Sequence, residues 1–100
     1  MNIAIDYDNT FSADPEGWKQ VIQLMQNRGH KFVCVTGRSN EGGFGMPVIK
    51  AIDNLIPIVF AGQQWKNKAA EAAGYKIDIW IDDNPQYIAE QQILFNQYKK

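Results

Sequence analysis

Apolar runs of strand length alternate with helix-forming segments along this chain, and that alternation restricts the fold more than any other feature. The runs are Ile3 to Ile5, Phe32 to Val35, Ile56 to Ala61, and Ile77 to Ile81, the last broken by Asp78. Three of the four are rich in β-branched residues, as buried parallel strands are. Between the first two, Trp18, Val21, Ile22 and Met25 form an apolar helical stripe, opened by Asp14-Pro15 and closed at Gly29. Pro47 opens a shorter helix through Leu55, and the alanine-rich segment Lys66 to Ala73 is strongly helical and stops at Gly74. Asn84-Pro85 repeats the start signal, a capping side chain before proline, and predicts a terminal helix to about Tyr98. Strict alternation implies parallel strands joined by right-handed crossovers. The expected fold is α/β: a three-layer, Rossmann-like parallel sheet of about four strands with helices on both faces.

With 100 residues the chain has room for a single domain, residues 1–100, and its 45% apolar content can fill one core. Ten basic side chains stand against eleven acidic ones, so no basic field exists to hold a nucleic-acid backbone by charge. No apolar run approaches the roughly 18 to 20 residues of a membrane span, and the start carries no basic-then-apolar leader; the expected location is cytoplasmic. The one cysteine, Cys34, sits in the apolar run "KFVCVTG" and reads as a core residue that has no partner for a disulfide within the chain.

In sheets of this class, sites form beyond the carboxyl ends of the strands. Two such ends break into acid: "NIAIDYDNT" into Asp6 and Asp8, and "IWIDDNP" into Asp82 and Asp83. If the first strand persists to Asp8, both of its carboxylates lean to one side. If strands one and four are neighbours, four carboxylates converge, and they repel one another unless a cation intervenes. An all-oxygen site suits a hard divalent ion such as Mg²⁺. Read singly, each aspartate is an ordinary loop or helix-start residue; the paired arrangement is what points to a site.

"IAIDYDNT" resembles the first motif of the haloacid dehalogenase (HAD) superfamily of phosphotransferases, an apolar strand followed by DxDxT. The resemblance implies Asp6 as the nucleophile that becomes an aspartyl phosphate, and Asp8 as general acid and then base, with its backbone carbonyl on the metal. An acid at Asp8 calls for a pKa raised by neighbouring carboxylates. "FVCVTGR" matches the second motif at Thr36, whose hydroxyl would bond a phosphoryl oxygen; Thr10, Gly37 and Arg38 fall beside it as substrate-binding candidates. Arg38 reads equally well as a solvent-exposed loop residue. The third motif, a lysine that offsets the negative charge, fits Lys66, with Lys68 as the fallback. The fourth fits Asp82 and Asp83, which with Asp6 and Asp8 make the expected metal set. Asn84 would orient them or cap the helix that follows.

Only 27 residues separate Asp8 from Thr36 and 29 separate Thr36 from Lys66, which leaves no room for the cap domain that many of the family carry. The chain resembles a capless member: a Mg²⁺-dependent phosphomonoester hydrolase whose open site admits bulky phosphorylated substrates, nucleic-acid ends among them, unless a second copy of the chain shields it. The glycine-rich loop around Gly42, Gly43 and Gly45 lies beside the site either as a substrate contact or as a plain connector. Phe11 and Trp18 could stack on a substrate ring, with core packing the better reading for Trp18, and Trp65, Tyr75, Trp80 and Tyr87 read as core or subunit contacts. The alternative function is a non-catalytic HAD-like or receiver-like phosphate- and metal-binding module serving a partner protein. A receiver carries its phosphoacceptor after the third strand, where "IVFAGQQ" has no acid, and a degenerate fold would lack motif residues that are all present here.

Overall fold

The computed structural model describes residues 1–90. Four strands, β1 (Asn2–Ile5), β2 (Lys31–Thr36), β3 (Ile58–Phe60) and β4 (Ile79–Ile81), form one sheet in the order β3-β2-β1-β4, and every neighbouring pair is parallel. Three α-helices connect them: α1 (Pro15–Asn27), α2 (Met46–Ile52) and α3 (Lys66–Ala72). This is the α/β architecture expected from the alternation.

The period of two along each strand divides the core between two faces. Ile3, Ile5, Phe32 and Cys34 point to the side covered by Ile22 of α1 and by Val48 and Ile52 of α2. Ala4, Val33 and Val35 point to the other, where Ala69 and Ala70 of α3 pack. The small residues of the second layer let α3 approach the sheet closely. The chain moves outward from β1 to β3 with helices on one face, then returns across the sheet to β4 with α3 on the other. With a constant crossover hand, a reversal of direction requires that change of face.

Local signals account for most boundaries. The Asp14 carboxylate caps α1 by accepting the Gly17 N–H at 3.1 Å, Pro15 occupies the first turn, and Gly29 at φ 90° carries the chain out. Val21 is exposed, contrary to the expected stripe. Trp18, Ile22 and Met25 lie within a narrow arc that meets the sheet, whereas Val21 is rotated roughly 60° from Trp18 at 3.6 residues per turn. Helix α2 stops at Ile52, three residues before the expected Leu55, because Asp53 and Asn54 adopt left-handed conformations that short polar side chains tolerate. Strands β3 and β4 are each shorter than their apolar runs.

The helix expected from Pro85 begins instead as a single 3₁₀ turn, Pro85–Tyr87, and Asn84 makes no side-chain cap to it. The rest of that expected helix, to Tyr98, lies outside the described residues. Among the described residues no helix is long and apolar enough to cross a membrane. Cys34 is buried in the core, and burial pushes its thiol up to about 12.

Candidate functional site

The central strand β1 is flanked by β2 and β4, and the chain leaves β1 and β4 toward opposite faces. After β1 it enters α1; after β4 it turns toward α3, where the Asn67 N–H bonds the Ile88 carbonyl at 2.8 Å. The crevice between them is a topological switch point, the place where open parallel sheets bind ligands. Asp6 and Asp82 each follow directly on the last residue of their strand, and the Asp6 N–H extends the ladder to Ile81 O at 2.9 Å.

Beyond Asp6 the strand does not persist. Tyr7 and Asp8 enter a tight turn in which Phe11 N–H bonds Asp6 O at 3.1 Å and Ser12 N–H bonds Tyr7 O at 2.9 Å, with Asn9 at φ 60°. Phe11, fully buried and stacked on Tyr7 at 6.3 Å, plugs this turn into the core rather than offering a face to a ligand. The two acids therefore diverge, although both line the same pocket.

The Lys66 ammonium donates to Asp6 Oδ1 at 2.9 Å and to Asp82 Oδ2 at 2.7 Å. All three side chains are nearly closed to solvent, at 6, 7 and 2% exposure. Lys68, two residues on, is exposed, so the choice between the lysines falls on Lys66. Burial pulls the Lys66 pKa down, but its bonds to Asp82 and Asp6 outweigh that and hold it above the ordinary value. Asp6 is pushed up to about 6 by burial, against the opposing pull of Lys66 and with the help of its neighbours Asp82 and Asp83.

Oxygens of Asp6, Asp82 and Asp83 lie within 4.8 Å of one another, so this cluster could hold a metal ion. The donor set fits a hard divalent cation: every ligand is a carboxylate, and one ammonium against three carboxylates leaves negative charge to be balanced. Its members are braced from behind. The Thr10 hydroxyl donates to Asp83 Oδ1 and accepts the Asp83 N–H, both at 3.3 Å, and the Asn84 N–H bonds Asp82 Oδ1 at 2.9 Å. Asn84 thus orients an acid through its backbone.

Asp8 stands apart from this cluster. Arg38 grips it through Nη2 at 2.7 Å and Nε at 2.9 Å, a two-pronged bridge, while Nη1 holds the Phe44 carbonyl at 3.0 Å and the guanidinium lies 5.4 Å from the Tyr7 ring centre. The hydrogen bonds from Arg38 hold the Asp8 carboxyl below the usual range, opposite to the rise expected for a general acid among carboxylates. Arg38 also explains the glycine-rich loop, which it tethers at Phe44; Gly42, Gly43 and Gly45 do not line the pocket.

Thr36 is not brought to the pocket either. It is wholly buried, and its hydroxyl accepts the Arg38 N–H at 3.2 Å, shaping the turn that presents Gly37. Thr10, likewise buried, holds Asp83 rather than a substrate. Of the expected site residues, Asp6, Asp8, Gly37, Lys66 and Asp83 line a pocket of ≈ 580 Å³, together with Asn9, Gln63, Gln64, Trp65, Asn84 and Tyr87. Trp65 and Tyr87, expected in the core or at a subunit contact, are 37 and 54% exposed as pocket walls. A signal for Trp65 was available: it sits at the first cap of α3, where a residue with an oxygen acceptor is preferred, and it supplies no capping bond. Comparison with family models, curated proteins and solved structures gives no match to the chain.

Proposed function

We propose that the protein is a Mg²⁺-dependent phosphomonoester hydrolase that works through an aspartyl phosphate on Asp6, in the manner of the HAD-like motifs its sequence resembles. The observation that carries this reading is the arrangement at the end of β1: a buried carboxylate held by Lys66 at 2.9 Å, within 4.8 Å of two further acids, and opening on a pocket.

One Asp6 oxygen attacks phosphorus as the ester P–O bond breaks, and the alcohol leaves with a proton from Asp8. Water then attacks the same phosphorus, gives its proton to Asp8, and releases phosphate and the Asp6 carboxylate. Lys66 keeps Asp6 oriented and offsets the charge that builds on the phosphoryl oxygens. Asp6, Asp82 and Asp83 would hold the Mg²⁺, which when bound supplies the positive charge that lets a dianion approach a carboxylate. Asp8, clamped and ionised, is ready as the base of the second step; serving as the acid of the first requires Arg38 to release it. Thr36 and Thr10 act from behind, setting the turn at Gly37 and the position of Asp83.

The test is phosphate release from a panel of phosphomonoesters by the wild type and by Asp6→Asn, with Mg²⁺ and after chelation. The expected result is metal-dependent release that chelation silences and Asp6→Asn loses by at least about a thousandfold, with both proteins equally folded. Turnover retained by Asp6→Asn would remove Asp6 from its assigned role.

A further inference from the structure

The walls of the pocket carry two aromatic side chains, Trp65 and Tyr87. Trp65 immediately precedes Lys66, and Tyr87 lies four residues beyond Asp83, so the two aromatic side chains stand on the two segments that carry the lysine and the metal-site acids. Those segments are tied to each other by the Asn67 N–H bond to Ile88 O at 2.8 Å. The loop that delivers Trp65 is tied as well, through Gly62 N–H to Arg38 O at 3.3 Å and Gln64 N–H to Ala61 O at 3.0 Å. Both rings are therefore exposed on fixed backbone rather than on free loops. A tryptophan at a helix cap forgoes the roughly 1 kcal/mol that a serine, threonine or aspartate would contribute there, and it leaves apolar surface in water.

Apart from the acids Asp6, Asp8 and Asp83 and the glycines Gly37 and Gly62, the remaining wall is neutral and polar. Asn9, Gln63, Gln64 and Asn84 carry amides that both donate and accept, the chemistry that pairs with the edge of a heterocycle. Cations are the other constraint: among the described residues, Lys66 is the one cationic side chain lining the pocket, and it is engaged with Asp6 and Asp82. Arg38 is committed to Asp8. While the Arg38–Asp8 bridge is closed, no cationic side chain among the described residues of the pocket wall is left unpaired to meet a second phosphate.

Resting on the phosphatase reading for where the phosphoryl group sits, we infer that the substrate is a monophosphate ester of a planar, uncharged, hydrogen-bonding ring system, of the nucleoside monophosphate class, with the ring stacked on Trp65 and Tyr87. Stacking on an aromatic side chain is tolerant of ring identity, and amides that can rotate add little discrimination between bases, so selectivity falls on the presence of a ring and on the single phosphate.

The experiment compares kcat/KM for adenosine 5′-monophosphate, glycerol 3-phosphate, glucose 6-phosphate, adenosine diphosphate and a 5′-phosphorylated dinucleotide, in the wild type, Trp65→Ala and Tyr87→Ala. The expected result is a preference of about tenfold or more for the nucleoside monophosphate over glycerol phosphate, with that ratio falling about tenfold in each variant. Equal rates for the two esters, or a ratio that neither variant moves, would overturn the inference while leaving the phosphatase reading intact. Preference for glucose 6-phosphate would overturn the planar ring, and preference for the diphosphate or the dinucleotide would overturn the single-phosphate limit, the latter pointing to nucleic-acid ends. A separate readout needs no turnover: calorimetric binding of a non-hydrolysable adenosine phosphonate with Mg²⁺. Binding that weakens about tenfold in Trp65→Ala, in a protein that hydrolyses no ester, would sustain the ring subsite and sink the phosphatase; absence of binding to the wild type would sink the subsite.

Discussion

Two ion pairs hold Asp6 and Asp8, and they differ in almost every physical respect. Lys66 meets Asp6 and Asp82 in a site at most 7% open to water, while Arg38 meets Asp8 with 31 and 47% of their side chains exposed. The buried cluster cannot fall back on solvent: remove the ammonium and two carboxylates are left without a counter-charge in a poorly solvated place. The outer bridge can, because water and salt replace most of what either partner loses. An interaction that is costly to break fixes geometry, and one that is cheap to break can open. On the proposed function, the nucleophile would sit in the first kind of pair and the proton carrier, which would have to change partners during turnover, in the second.

The largest effect should follow from Lys66→Met. In metal-free buffer, urea unfolding should show a loss of about 3–5 kcal/mol, since the mutation breaks a buried ion cluster from one side. A loss below about 1 kcal/mol would put the two pairs in the same class and end the comparison. The next measurement sharpens it: adding Asp6→Asn and Asp82→Asn to Lys66→Met should restore more than half of the lost stability, because the cost lies in the stranded charges rather than in the missing lysine stem. No recovery would instead assign the loss to packing.

Arg38→Gln should cost only about 0.2–1 kcal/mol, less still at high salt. Its pH dependence has a defined sign. Because Arg38 holds the Asp8 carboxyl below its ordinary value, the bridge contributes fully above that value and its contribution disappears as pH falls through the lowered one. The stability difference between wild type and Arg38→Gln should therefore be flat near neutral pH and close under acid conditions. A difference that widened as pH fell would contradict the assignment.

Much of this was legible from the sequence, for reasons that are local. The alternation of runs is enough to place β1, β2, α1 and α3, and the switch-point rule puts Asp6, Asp82 and Asp83 in one crevice once β1 and β4 are neighbours. Lys66 could be preferred over Lys68 because two steps along a helix turn a side chain to the far side. What was not legible depends on partners distant in the chain. The sign of the Asp8 shift is set by Arg38, 30 residues away, and no motif announces that the guanidinium will turn to Asp8. Thr36 reads as a ligand through its match to the second motif, yet β2 runs one residue beyond the expected Val35 and takes Thr36 into the core. Trp65 and Tyr87 read as core or subunit contacts because apolar bulk usually packs; for Trp65 the missing cap of α3 is a signal against that, while for Tyr87 the outward placement comes from the pocket alone. Val21 failed for a simpler reason, since the stripe that meets a sheet is narrower than the apolar pattern on the helix.

The β1–β4 pairing has a consequence for the order of folding. Ile3 pairs with Ile79 and Ile5 with Ile81, so the strands that build the site are the first and the last of the sheet in sequence. Contacts of such long separation carry a high loop-closure cost and form late. Until β4 docks, Asp6 and Asp82 are ordinary hydrated carboxylates with nothing to repel. Their mutual burden falls only on the completed sheet, so a destabilised variant should lose the site through departure of β4 while β1, β2 and α1 are still in place.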